Sequence, residues 1–267
     1  MTSKFRIGGL VVIVLACVGA GDLGAQDTGA SASELAKEAA NPLANMISLP
    51  VQNNTDFGLG PYDRTRNVMN IQPVIPFFDG KLITRTIFPV VWLPDVSSES
   101  GTNTGLGDIV ASAWYASTQG NRTLGYGAAF EIPAGGESRG SQKWSAGPSF
   151  VALVAPGAWT LGVLANNVWS FAGEEDRDEV NRGLLQYFIV RQLGSGWYVN
   201  SAPIITANWL AADGQKWVVP FGVGGGKLVF LGKLPLNAQV GFYYNAVKPD
   251  VGPDWQFRIQ LQTLFPR

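Results

Sequence analysis

Four ionisable side chains stand in otherwise apolar, alternating stretches: Arg85, Asp108, Glu131 and Arg258. Two guanidinium groups and two carboxylates could hold a solute between opposed charges, and Asp108 with Glu131 could form a carboxylate pair for proton transfer. No nucleophile accompanies that pair. Histidine is absent and the single cysteine is Cys17, which removes imidazole general bases, Ser-His-Asp and Cys-His arrangements and the usual zinc sites. The expectation is a protein that is not an enzyme, with no cofactor and no metal.

Two other stretches invite chemistry. The run Glu174-Glu175-Asp176-Arg177-Asp178-Glu179 offers clustered oxygens to Ca²⁺ or to cations of an outer leaflet, but such runs more often form a solvated loop. Gly222-Val223-Gly224-Gly225-Gly226-Lys227 suggests a phosphate loop, yet it lacks the leading-glycine spacing, a Ser or Thr after the lysine and a following helix. Glycines within a strand instead mark a bend, a bulge or a close approach to the wall.

The elements that would carry these groups are strands. In the last stretch, Trp255, Phe257, Ile259 and Leu261 alternate with Gln256, Arg258, Gln260 and Gln262, and a period of two sends the two sets to opposite faces. From Met46 onward about twelve such segments follow, near 46–57, 67–77, 81–93, 106–117, 122–132, 143–154, 158–170, 182–192, 196–208, 216–229, 235–246 and 254–265. Each has about the 9–11 residues that a tilted membrane-spanning strand needs. The gaps between them alternate between long polar loops and tight turns such as Phe78-Asp79-Gly80 and Leu193-Gly194-Ser195. That asymmetry, with the aromatic girdle read from Trp92, Trp114, Tyr115, Trp144, Trp159, Trp169, Trp197, Tyr198, Trp217 and Trp255 near strand ends, belongs to outer-membrane barrels and not to soluble sandwiches. The fold expected is all-β, a transmembrane antiparallel up-and-down barrel of about twelve strands.

In such a barrel Trp255, Phe257, Ile259, Leu261 and Phe265 form a lipid-facing seam, and the last strand must pair with the first, because an open edge in a bilayer strands its backbone groups. The inward, lumen-lining set is Gln52, Gln72, Arg85, Asp108, Glu131, Asn200, Gln239, Gln256, Arg258 and Gln260. Arginine on the lipid face at mid-membrane costs about 2–4 kcal/mol, which sends Arg85 and Arg258 to the lumen. Such a lining suits a conduit for small solutes; equally, the same residues could pair across the lumen and plug it.

Lys4 and Arg6, the apolar run Ile7 to Ala20 and the small residues up to Ala25 have the layout of a secretory signal peptide,. The domain reading is a signal peptide over 1–25, a periplasmic segment over 26–45 and the barrel over 46–267. Cys17 is either removed with the signal or is an acylated lipoprotein cysteine. Within the periplasmic segment, Ser33 to Glu38 reads as a short helix capped at Ser31 or Ser33. A net charge of −1 leaves no electrostatic footprint for nucleic acid.

Several stretches carry a resemblance: Asn41 to Pro50, Gln52-Asn53-Asn54, Gly60 to Thr65, Asn70 to Pro76, Gly105-Leu106-Gly107-Asp108, Lys143 to Ser149, Pro203 to Trp209 and the terminal Leu264-Phe265-Pro266-Arg267. Together they resemble the MetA-pathway phenol-degradation family of outer-membrane transporters, some of whose members carry the misleading label neuromedin U. The resemblance implies a Gram-negative outer-membrane barrel that admits small hydrophobic or aromatic compounds by passive or facilitated diffusion, and it supplies no catalytic residue. The alternative expectation is a closed structural or surface-interaction barrel whose extracellular loops bind a partner. The partners expected are outer-membrane lipid, a small solute and the outer-membrane assembly machinery, for which Phe265 is part of the signal. A Phe265→Ala variant should lose insertion efficiency; insertion at the parent level contradicts that role.

Overall fold

The computed structural model describes residues 31–266; the signal-peptide stretch and Cys17 lie outside the described residues. A helix α1 (Ala32–Ala39) precedes fifteen strands: β1 (Ile47–Leu59), β2 (Arg64–Ile71), β3 (Val74–Phe77), β4 (Leu82–Pro94), β5 (Thr102–Leu106), β6 (Ile109–Gln119), β7 (Arg122–Ile132), β8 (Lys143–Val154), β9 (Trp159–Gly173), β10 (Asn181–Gly194), β11 (Trp197–Ser201), β12 (Ile204–Asn208), β13 (Trp217–Leu231), β14 (Leu234–Val247) and β15 (Trp255–Phe265). All pair antiparallel in one sheet. Three wall strands are interrupted, so β2 with β3, β5 with β6 and β11 with β12 each make a single stave, and the fifteen segments form a closed barrel of twelve.

The interruptions have local causes. Pro73 and Pro203 lack the N–H a ladder needs, and both fall in the breaks, at Gln72-Pro73 and Ala202-Pro203. The third falls at Gly107-Asp108, where the carboxylate binds loop backbone instead.

Closure is made by β1 on β15, in register from Ile47 opposite Phe265 to Phe57 opposite Trp255. This pairs Gln52 with Gln260, Asn54 with Arg258 and Asp56 with Gln256 on the inner face. Outside, Trp255, Leu261 and Phe265 are exposed together with Val51 and Phe57, while Phe257 stacks on Phe242 with ring centroids 4.5 Å apart. The barrel wears its apolar surface outward because lipid, not water, is the solvent there. Among the described residues no helix is long and apolar enough to cross a membrane, and the crossing falls to the strands.

The tight turns sit at one end, with both β1 and β15 opening or closing there. Ser195 and Gly196, between Gly194 and Trp197, take positive φ, the conformation that matches strand twist in two-residue hairpins; Phe78, Asp79 and Gly80 take positive φ in the longer turn between Phe77 and Leu82. One loop is shorter than its sequence suggests. Gly58 to Arg66 reads as loop, whereas the ladder runs on to Leu59 opposite Arg64, because the inward Arg66 bonds Asp56 at 2.7 Å and holds the strands together.

Candidate functional site

The interior is best built from the short-turn end. Ser31 caps α1: its hydroxyl accepts from Glu34 N–H at 3.2 Å and Ser31 N–H donates to the Glu34 carboxylate at 2.7 Å, a reciprocal capping box,. Those bonds hold the Glu34 carboxyl below its usual range. The apolar face of α1, Leu35 and Ala36, packs with Ala44, Met46, Val190, Tyr198, Leu228 and Leu264, so the segment 31–46 lies inside the barrel end and not beside it. Lys37 Nζ donates to the carbonyls of Ala155 and Gly157 in the β8–β9 turn, both at 3.0 Å. Leu43 reaches the other side of the lumen and joins a second apolar cluster with Val74, Ile83, Trp114, Leu164 and Phe188. Gly125 leaves that space open, since a Cβ there would stand 2.6 Å from Leu43 Cδ1.

Beyond this plug lies a cavity of about 220 Å³. One bank is amide: Gln52, Gln72, Gln239 and Gln260 with Asn70, Asn237 and Gln262. The opposite bank is apolar, formed by Leu164, Leu184, Phe188, Val190 and Ile204. Arg85, Arg258 and Glu38 also line it. The apolar residues on both faces of β10 follow from this: Phe188 and Val190 are buried within while Leu185 and Ile189 face outward.

Arg258 is 2% exposed. Its guanidinium donates to Asn54 Oδ1 at 3.0 Å, to the Ala202 carbonyl at 2.9 Å and to Gln256 Oε1 at 3.0 Å, and lies 4.7 Å from the Tyr243 ring centroid. Arg85 is placed differently, 5.3 Å above the ring of Trp114. Trp114 in turn donates to Ser149 Oγ at 2.9 Å.

The remaining candidate residues are spread along the lumen. Gln256 lies toward the long-loop end, where it donates to Asp56 at 2.9 Å. Glu131 is on the inner face of β7 and pairs with Arg182 at 2.8 Å. Asn200 is buried on β11, its Oδ1 without a partner among the described residues. Asp108 is not in the cavity. It accepts from the N–H groups of Gly135 and Ser141 at 3.1 and 2.6 Å and from the Ser141 hydroxyl at 2.8 Å, which clasps the β7–β8 loop. Asp108 and Glu131 therefore answer to different partners.

The acidic run is woven into the same loops. Arg177 donates to the carbonyls of Glu137 and Gly140 at 2.8 and 3.0 Å. Glu179 accepts from the Ser170 hydroxyl and bonds Lys143 at 3.1 Å, and these contacts lower its carboxyl pKa. The glycine run lies in β13, opposite β14, where Gly224 and Gly226 make room for Asn200 and Tyr198.

Several inner residues escaped sequence reading. Trp114 and Tyr198 read as girdle aromatics but are buried within, at 0% and 3% exposure, whereas Trp144, Trp159, Trp169, Trp197, Trp217 and Trp255 are exposed. Asn54 and Asp56 share the inner face with Gln52, and continuing the period of two from Gln52 would have found them.

A closed antiparallel barrel with an apolar outer belt, aromatic rims and a polar, partly filled lumen defines a class: the β-barrels of the bacterial outer membrane,. The chain is similar to a NanC porin, at 10% identity and a TM-score of 0.55 over 81% of this chain and 98% of that one. It is similar too to an outer membrane channel from Pseudomonas putida F1, at 16% identity and a TM-score of 0.58 over 82% of this chain and 94% of that one. At these identities the likeness is one of fold. No protein-family model matches the sequence, and no curated protein does either.

Proposed function

We propose that the protein is an outer-membrane channel that passes small solutes, hydrophobic or aromatic ones among them, by passive or facilitated diffusion, without chemical change to the solute. The observation that carries this reading is the cavity: an amide bank faces an apolar bank at mid-lumen, a lining that wets a polar edge and accommodates a ring or alkyl body together. The residues proposed to line the path are Gln52, Gln72, Arg85, Gln239, Arg258 and Gln260 about the cavity, with Gln256, Asn200 and Glu131 farther along the wall. The family resemblance of the sequence supports the same solute class, and the two barrels of like fold are a porin and a channel. In this reading residues 31–46 close the periplasmic end and yield during passage.

A second reading has an observation of its own. The plug fills the short-turn end and the loops are tied to one another, as a closed scaffold with partner-binding loops would require. Proteoliposome swelling decides between them. The purified chain should admit small solutes, with rates that fall as solute size grows and that favour phenol-sized aromatics over sugars. Liposomes that stay impermeable to every solute, with the intact chain and with the plug removed, would overturn the channel and leave the scaffold.

A further inference from the structure

We propose that the cavity is a binding site for a small monocarboxylate with an apolar or aromatic body, whose carboxylate docks on Arg85. This deepens the channel reading and rests on it only for the route by which the ligand arrives.

Each inward carboxylate of the wall is already committed: Asp56 to Arg66 and Gln256, Glu131 to Arg182, and Asp108 to its loop. Every nitrogen of Arg258 has an acceptor. Arg85 has neither ion pair nor hydrogen bond among the described residues. Its Nε is shut away from solvent without an acceptor among the described residues, and its guanidinium lies over the face of Trp114. Glu38, the one carboxylate lining the cavity, makes no ion pair with it. A cation partly withdrawn from water is costly until an anion or several acceptors reach it, and a ring face compensates only in part.

The shape of the space selects the anion. The two terminal nitrogens of a guanidinium form a planar fork that a carboxylate fits with two parallel bonds, and at Arg85 it is Nε, not these, that is shut away. Glu38 and a single free cation argue against a dianion, whose second charge would lack a partner. Leu164, Phe188 and Ile204 offer the rest of the ligand an apolar wall, and Gln72, two residues before Val74, which faces Arg85 in the β3–β4 ladder, adds an amide to the same lining. The volume of about 220 Å³ lies below the roughly 300–1,000 Å³ of pockets for drug-sized ligands, which points to a ligand of one ring or a short chain.

The test is titration calorimetry of the full chain in a neutral detergent at low salt, with sodium benzoate, benzyl alcohol and benzylammonium chloride as probes. Benzoate should bind one site, at least about tenfold more tightly than either of the others, as expected for a charge-assisted pair of hydrogen bonds. Arg85→Gln should cost benzoate about tenfold or more and leave benzyl alcohol unchanged, while Arg85→Lys, which keeps charge but not the fork, should fall between. Equal binding of benzoate and benzyl alcohol by the parent, or unchanged benzoate binding by Arg85→Gln, overturns the proposal. The parent's preference among probes decides the matter if the variant does not fold. Solute-driven swelling without benzoate binding sinks this site and spares the channel; benzoate binding by a barrel impermeable to all solutes does the reverse.

Discussion

A chain lacking residues 31–45 is expected to make liposomes swell, and single channels conduct, at least roughly tenfold more than the intact chain, because this segment packs into the short-turn end against both sides of the wall,. The estimate reflects barrel size: lumens of eight strands fill with their own side chains and those of sixteen hold open water, so twelve need an added element to shut. The deletion removes no rung of the wall, since the ladder starts at Ile47 opposite Phe265. It does remove the buried side chains of Leu35 and Leu43, each worth about 1.5–3 kcal/mol at most, and it wets Met46, Val190, Leu228 and Leu264. The barrel should therefore keep its β spectrum while its unfolding midpoint drops by several degrees. A graded companion is Lys37→Ala, which frees the carbonyls of Ala155 and Gly157 and should raise open probability without changing the fully open conductance. Conductance and swelling equal to the parent in the deleted chain would show that residues 31–46 are not the barrier.

The second large effect belongs to Arg258→Ala, which should destabilise the barrel by about 3–5 kcal/mol, the cost of removing one member of a buried charged network. Its origin is the break in the eleventh and twelfth strands. The β11 ladder with β13 ends at Asn200 opposite Gly224 and resumes in β12 at Thr206 opposite Val218; on the other side, β10 skips from Ser201 to Ile204. Ala202 and Pro203 thus have no ladder partner on either edge. The Ala202 carbonyl, which would otherwise be unsatisfied at membrane depth, receives Arg258 at 2.9 Å and Gln186 at 3.4 Å. Arg258 is therefore a strut from β15 to the weak point of the wall, and truncation strands Asn54 and Gln256 as well. Arg258→Lys should recover less than half of the loss, because an ammonium cannot serve three acceptors in that fan. Urea unfolding in detergent measures both variants; an Arg258→Ala midpoint within about 1 kcal/mol of the parent would mean that water replaces the strut.

The same residue shows how far the sequence reaches. Arg258 stands between Phe257 and Ile259, so its inward direction is legible from alternation alone, as is the lipid side of Trp255 and Leu261. Local physics also reveals the number of staves, the tight turns at one end, and the cap of α1, where the choice between Ser31 and Ser33 falls to Ser31 because Glu34 lies three residues on. The partners of Arg258 are not legible. Asn54 is 204 residues away and the Ala202 carbonyl 56, and no period links them.

Trp114 makes the point from the other direction. Its place near a strand end suggests a girdle, and only the inner packing of Leu43, Ile83 and Leu164 shows that its ring belongs to the lumen. A strand's period of two assigns each side chain to one of two faces, and in a barrel that choice is settled by the contrast of lipid with lumen. The sequence by itself thus determined the wall: a closed, membrane-spanning sheet of twelve staves with its greasy side out. What fills the wall was decided by the tertiary structure alone. The plug, the free guanidinium of Arg85 and the two-banked cavity arise where residues far apart in the chain converge on one axis, and convergence of that kind leaves no trace in local alternation.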